Sequence, residues 1–365
     1  MKWYTLPGPA GFIDGVMQQM RDGISVVVAT PTFAQPNLEE AFVEQLRHAH
    51  WSPERVTIDS PEDPLRWLTD TLYLEPEQWV GWNAEKLCSQ LRAGQLIVIE
   101  GVTALSWDAW RTFLRDFEVA SRQRASDERP VLLVFVRGVP QKCLQAEGAA
   151  LTTCIWSGVF GELDTLTYVD QRLRCIRKRA RHHKLIVRQI AALALWDIDL
   201  ADYLINQPER DVFDIEVILQ AARCALGRGD STLGSNWENG GLDHFDGVDM
   251  LHPFTLLDGN DGEKELQRRM WTAQAAELLP LIEIRRRELV RSLERHVSCP
   301  LWIDSKRQVR SLEELEIGSL AYVAQTRGIR GEPKDRAEWL ARCRNILAHL
   351  GLLSDGDALD PRLYQ

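Results

Sequence analysis

Three short apolar runs limit what this chain can fold into. Residues 24–29 (ISVVVA), 96–99 (LIVI) and 131–136 (VLLVFV) are rich in β-branched and aliphatic side chains at consecutive positions, with no polar alternation. Runs of this kind are strands covered on both faces. Residues 56–58 and part of 154–168 supply two more candidate strands. Segments with helical periodicity lie between them, at 38–48, 79–91 and 106–121, and the last sets Trp107, Trp110, Phe113, Leu114 and Phe117 on one side. Strand alternating with helix over about 150 residues predicts a parallel sheet with helices on both faces and right-handed crossovers.

After Val169 the pattern turns helical, over 170–184, 185–205 and 214–226. Residues 227–262 are rich in Gly, Asp and Asn with little periodicity, and read as a linker or long loop. Helices are then expected over 263–297, with a kink at Pro280, over 312–324 and over 334–350. The expected fold class is therefore α/β followed by all-α. A parallel, doubly wound sheet carries a helical lid, and a helical bundle ends the chain. The expected domains are 1–170 for the sheet, 171–262 for the lid and long loop, and 263–365 for the bundle.

Composition narrows the function. With 365 residues and 45% apolar side chains, the chain can build two or more cores. No apolar run approaches bilayer length, and no apolar stretch with a cleavage site follows Lys2, so neither a membrane span nor a signal peptide is expected. The seven cysteines are scattered, odd in number and lack a CxxC pair. That fits a reducing cytosol and argues against a disulfide frame or a zinc site. A net charge of −10 means that any nucleic-acid contact must be local.

The turn after the first strand is informative for what it lacks. A phosphate loop reads GxxxxGK[ST], whose backbone amides wrap phosphates, whose lysine neutralises them and whose hydroxyl holds magnesium. Here Thr30, Gln35, Pro36 and Asn37 fill the four defining places, and Pro36 offers neither a charge nor an N–H. The strand at 96–99 ends in Glu100 and Gly101, one acid where a pair would serve magnesium and water, and the strand at 131–136 ends at Arg137, where a polar sensor often sits in related ATPases. In the order of its elements, roughly residues 10–225, the chain resembles an AAA+ or STAND-type P-loop ATPase with its nucleotide machinery eroded. A doubly wound domain that never bound nucleotide fits the same order. Either reading implies no cofactor and no ATP hydrolysis.

Residues 172–188 concentrate positive charge: Arg172, Arg174, Arg177, Lys178, Arg179, Arg181, Lys184 and Arg188, with His182 and His183 among them. Of these, Arg174, Arg177, Lys178, Arg179, Arg181 and Lys184 are the candidate nucleic-acid contacts. The plainer alternative is a solvated face neutralised by nearby carboxylates. Adjacent histidines on a helix diverge, which disfavours a metal at His182 and His183. Asp243, His244, Asp246, Asp249 and His252 match no metal-ligand spacing either, and Asp/Gly-rich turns arise for backbone reasons.

The last helical segment, 334–350, spaces Trp339, Cys343, Ile346, Leu347 and Leu350 along one apolar face, between Pro333 at its start and Gly351 at its exit. Inside it runs Arg344-Asn345-Ile346-Leu347-Ala348-His349. Asn345 and His349, four apart, share a face; Arg344 and His349 lie about 140° apart around the helix. This arrangement, with upstream segments at 271–295 and 312–322, resembles HEPN domains across roughly residues 263–355. The resemblance implies metal-independent RNA chemistry, with His349 as general base or acid, Arg344 stabilising phosphorane charge and Asn345 orienting the histidine or the phosphate. It equally accommodates the many HEPN domains that only bind. The expected function is a non-catalytic scaffold or adaptor of a bacterial defence or stress-response complex. Its expected partners are other protein subunits, RNA or DNA, and a second copy through the C-terminal domain. The alternative is a HEPN-type ribonuclease controlled by the N-terminal domain. Thirteen tryptophans are compatible with extensive contact surface.

Overall fold

The computed structural model describes residues 2–58, 63–74, 81–145, 147–176, 180–229, 234–259, 261–303 and 308–365. In chain order the first elements are α1 (Pro7–Arg21), β1 (Ser25–Thr30), α2 (Leu38–His48), β2 (Glu54–Thr57), α3 (Pro64–Thr71) and α4 (Ala84–Gln90). Then come β3 (Leu96–Thr103), α5 (Trp107–Ser121), β4 (Val131–Arg137), β5 (Leu151–Ile155), α6 (Glu162–Ile176), α7 (His183–Ala194), α8 (Ile198–Ile205) and α9 (Ile215–Ala225). A hairpin β6 (Leu242–Phe245) and β7 (Val248–Leu251) precedes α10 (Pro253–Leu257) and α11 (Gly262–Leu293). The chain closes with β8 (Leu301–Trp302), β9 (Gln308–Val309), α12 (Ile317–Thr326), α13 (Glu332–Ala348), α14 (Asp355–Ala358) and α15 (Pro361–Tyr364).

Two compact units emerge: Met1–Tyr168 with Leu195–Leu200 and Arg223–Asp258, and Val169–Ala194 with Ala201–Ala222 and Gly259–Gln365. The stretch 171–262 is thus divided between them.

The first unit is an α/β sheet domain. Its five strands are ordered β2-β3-β4-β1-β5, and every pairing is parallel. From β1 the chain travels to the far edge at β2 and then returns, so right-handed crossovers send α2 to one face and α3, α4 and α5 to the other. The side chains follow. Val27, Ala29, Ile97, Ile99, Leu132, Val134 and Val136 pack with Leu87, Trp107, Trp110, Phe113 and Phe117 of the helices. On the opposite face the Phe135 ring meets Phe42 of α2 edge-on at 5.3 Å, and Phe12 of α1 meets Phe42 at 6.4 Å. Fully burying a side chain of this size contributes about 1.5–3 kcal/mol.

The second unit is helical. α11 continues for 32 residues through Pro280 and packs against α7 and α13. Leu278, Ile282, Leu289 and Leu293 meet Leu320, Leu340, Cys343 and Leu347 in its core. Burial pushes the Cys343 thiol up to about 12. The tail is part of this core: Leu353, Ala358 and Leu363 are buried, the Gln274 amide donates to the Leu353 carbonyl (3.1 Å) and accepts from its N–H (2.8 Å), and Arg362 lies 4.1 Å over the Trp339 ring. No helix among the described residues is long and apolar enough to cross a membrane.

Several expectations need correction. The helix expected over 170–184 is interrupted: α6 is described to Ile176, residues 180–182 are not helical, and α7 starts at His183 and stops before Leu195, whose φ of 53° breaks the helix. Within 227–262 the described residues pack instead of linking: Trp237, Phe245, His252 and Phe254 are buried and β6 pairs with β7. The helix expected from 79 starts at Ala84, where the Asn83 side chain accepts the Lys86 N–H; Trp79 and Val80 lie outside the described residues. α13 ends at Ala348, and Leu350 adopts φ 61° and is 67% exposed, off the apolar face assigned to it.

Candidate functional site

An open α/β sheet binds ligands at the carboxyl ends of its strands, where successive connections diverge. Here that point lies between β1 and β4, because the chain leaves β1 toward β2 and leaves β4 toward β5. The loop after β1 lies there, and its own chain already engages it. Thr32 donates its N–H (2.8 Å) and its hydroxyl (3.1 Å) to the Glu238 carbonyl. Gln35 is buried; its amide donates to the Trp196 carbonyl at 2.8 Å and accepts from the Trp156 indole at 2.6 Å. The Pro36 carbonyl accepts from the Trp3 indole at 3.1 Å, and the Arg228 guanidinium lies 5.3 Å over the Phe33 ring.

The N-terminus of α2 is similarly occupied. A helix N-terminus attracts an anion, and here Glu39 and Glu40 stand in its first turn. Glu39 is buried and pairs with Arg137 at the end of β4. Beside them Arg55 bridges Glu100 (2.7 Å) and Glu40 (3.4 Å). Burial pushes the Glu100 carboxyl above its ordinary range, against the pull of Arg55. The rim is therefore a row of carboxylates and guanidiniums that neutralise one another. A polyphosphate entering here would displace Glu39 and meet two further acids.

At the other motif, Arg344 lies in α13 with its Nη2 3.6 Å from Glu316. It lines an open groove of about 400 Å³, shared with Glu283, Arg286, Glu313 and Leu315. Arg286 is tied to Glu283 (2.6 Å) and to the Leu315 carbonyl (3.0 Å). Asn345 is exposed, and exposed His349 is the C-terminal cap residue of α13. Among the described residues no hydrogen bond joins Arg344, Asn345 and His349 through their side chains.

In the basic segment, Arg177, Lys178 and Arg179 lie outside the described residues. Arg172 pairs with Asp202 (3.1 Å), Arg174 with Asp170 (2.9 Å), and Arg188 with Glu277. His182 meets Glu209 at 2.6 Å and His183 meets Asp170 at 2.8 Å, so the two rings face different carboxylates. Arg181 and Lys184 are exposed and form no ion pair among the described residues. Among those residues no group of His, Cys, Asp and Glu is arranged to hold a metal.

No protein-family model matches the chain, and no curated protein matches it. Among solved structures it is similar to a mutant of Thermotoga maritima RuvB, at 10% identity over 73% of this chain and 96% of that one, with a TM-score of 0.29. It is also similar to a chain of Drosophila ORC bound to DNA, at 13% identity over 94% of this chain and 86% of that one, with a TM-score of 0.31. Overlap of this degree decides neither activity nor ligand.

Two buried polar centres in the sheet unit escaped the sequence reading. Asp197, Arg228 and His252 are 6%, 5% and 1% exposed. Arg228 pairs with Asp197 and, at 3.2 Å, with Asp199, and His252 Nε2 lies 3.0 Å from Asp197. His252 Nδ1 accepts the Phe254 N–H at 3.2 Å, which leaves Nε2 as the donor to Asp197. Burial raises the Asp197 carboxyl, but the Arg228 guanidinium and the His252 hydrogen bond overcome this and hold it well below the usual range. Asp243, also buried, accepts from the Ser157 hydroxyl (2.5 Å) and the N–H groups of Gly158 (3.3 Å) and His244 (2.8 Å). The Asp/His-rich composition of 243–252 was the available signal. Its partners, at 157, 197 and 228, are too distant in sequence to be paired by spacing.

Proposed function

We propose that the chain is a non-catalytic scaffold or adaptor subunit of a bacterial defence or stress-response complex, built on an eroded AAA+-like sheet domain and a C-terminal helical unit with a HEPN-like motif. The observation that carries the proposal is the crevice after β1, closed from within by Gln35, Trp156 and the Glu238 carbonyl and neutralised by Glu39 and Arg137. A fold that spends this position on its own side chains is suited to holding partners, not to turning over a nucleotide. Other protein subunits are the proposed partners, with RNA or DNA and a second copy of the chain as further candidates.

The test is calorimetric. A ligand at 100 times its Kd would add about 2.7 kcal/mol to stability. Millimolar Mg-ATP is expected to leave the Tm unchanged, and a clear upward shift would overturn the reading. Co-purification from the native cell with mass spectrometry should return stoichiometric protein subunits; isolation as a free monomer would count against it.

One observation keeps the ribonuclease reading alive. Among the described residues Arg344 pairs with Glu316 alone, at 3.6 Å, and both Asn345 and His349 are open to solvent at the same helix end. The side chains are available for RNA once a partner or second copy completes the cleft.

A further inference from the structure

The amino ends of the strands carry an open pocket of about 500 Å³ between the turn after α2 and the turn before β3. Its volume suits a small ligand. Four features equip it. Trp51, half-buried, lines the wall, and its N–H is pinned to the Leu46 carbonyl at 2.9 Å. His50 next to it is exposed and adopts a left-handed φ of 63° as the residue that ends α2, with its N–H on the Arg47 carbonyl at 3.0 Å. Arg92 is exposed and forms no ion pair among the described residues, unlike Arg55, Arg137, Arg174 and Arg228. The turn that presents it is built from within: the Gln95 side chain accepts the Arg92 N–H at 2.9 Å and donates to Glu54 at 2.8 Å.

We infer that this pocket binds a nucleotide unit, its base stacked on Trp51 and its phosphate held by Arg92, with His50 as a second donor. A π-face beside a cation is the chemistry by which proteins hold single-stranded nucleic acid without reading sequence. The one carboxylate lining the pocket, Glu54, accepts a hydrogen bond from Gln95 and forms no ion pair with Arg92. In a chain of net charge −10, Arg92 is a cation left open for the local contact that nucleic acid requires. The inference is independent of the crevice after β1 and of the Arg344 motif, since none of their residues takes part.

The experiment is fluorescence polarisation with a labelled oligothymidylate of about twelve nucleotides. Binding should weaken about tenfold or more in Trp51→Ala, where stacking is lost. In Arg92→Gln the slope of log affinity against log salt should fall by about 0.7, one phosphate contact. Trp302→Ala, an exposed tryptophan of the other unit, serves as control and should change nothing. Trp51→Phe, which keeps a ring, should retain most of the affinity and covers the case in which Trp51→Ala misfolds. Displacement of the probe by AMP assigns the pocket to free nucleotides; displacement by oligoriboadenylate but not by AMP assigns it to single strands. Affinity unchanged by Trp51→Ala and Arg92→Gln, or no binding of either ligand, overturns the inference.

Discussion

Asp243 forms no ion pair with an arginine or lysine among the described residues, and burial raises its carboxyl to about 6, above its ordinary value of 3.8. The folded chain therefore holds this proton more tightly than the unfolded one. Stability from this group is fully present below pH 3.8 and is lost as pH rises through 6. The difference corresponds to at most about 3 kcal/mol. Asp243→Asn should flatten chemical-denaturation stability between pH 4 and pH 6, and an unchanged profile would show that the hydrogen bonds from Ser157, Gly158 and His244 offset the burial. Asp197 has the opposite sign, since its carboxyl is depressed and its contribution survives to low pH. Removing its counter-charge should be severe. Arg228→Met leaves a buried carboxylate unpaired and is expected to cost about 3–5 kcal/mol, read as a drop in the denaturation midpoint.

At the scale of elements, two glycines separate backbone freedom from space. Gly23 joins α1 to β1 at φ 72°, and a Cβ there would stand 2.1 Å from the Ser126 carbonyl oxygen. Gly328, after α12, has φ 66° and open surroundings. Gly328→Ala should cost about 1–2 kcal/mol, the left-handed penalty alone, whereas Gly23→Ala should cost clearly more or prevent folding. Equal losses in thermal denaturation would refute the distinction. The same contrast explains what the sequence revealed. Strands β1, β3 and β4 were legible because burial on both faces leaves continuous apolar runs. α5 and α11 were legible from their periodicity and length. The β6–β7 hairpin was not, because its four-residue strands owe their place to contacts such as Asp243 with Ser157, 86 residues away. Leu350 was misplaced because wheel arithmetic continues through a helix end, while the chain turns left-handed at that residue. The absence of a phosphate loop was readable from Pro36; that Trp156 and Glu238 fill the crevice was not, since both come from remote segments.

Across the molecule, many of the cations among the described residues are paired internally. Arg172, Arg174, Arg188, Arg286 and Arg336 all pair with carboxylates of their own unit. The purified chain should therefore leave labelled RNA intact in EDTA, and His349→Ala should behave identically. Cleavage that disappears in a correctly folded His349→Ala protein would instead establish the ribonuclease reading.

The division of the sheet unit into three stretches of sequence has a consequence for biosynthesis. Trp237 is buried in the same core cluster as Ile99, Val136 and Trp107, yet it follows β5 by 82 residues. At translation speeds of about 5–20 residues per second, a nascent sheet would wait roughly 4–16 s for the side chain that seals it. During that interval its apolar edge is open to whatever binds emerging chains, and a polypeptide stopped at residue 168 should be captured there instead of folding.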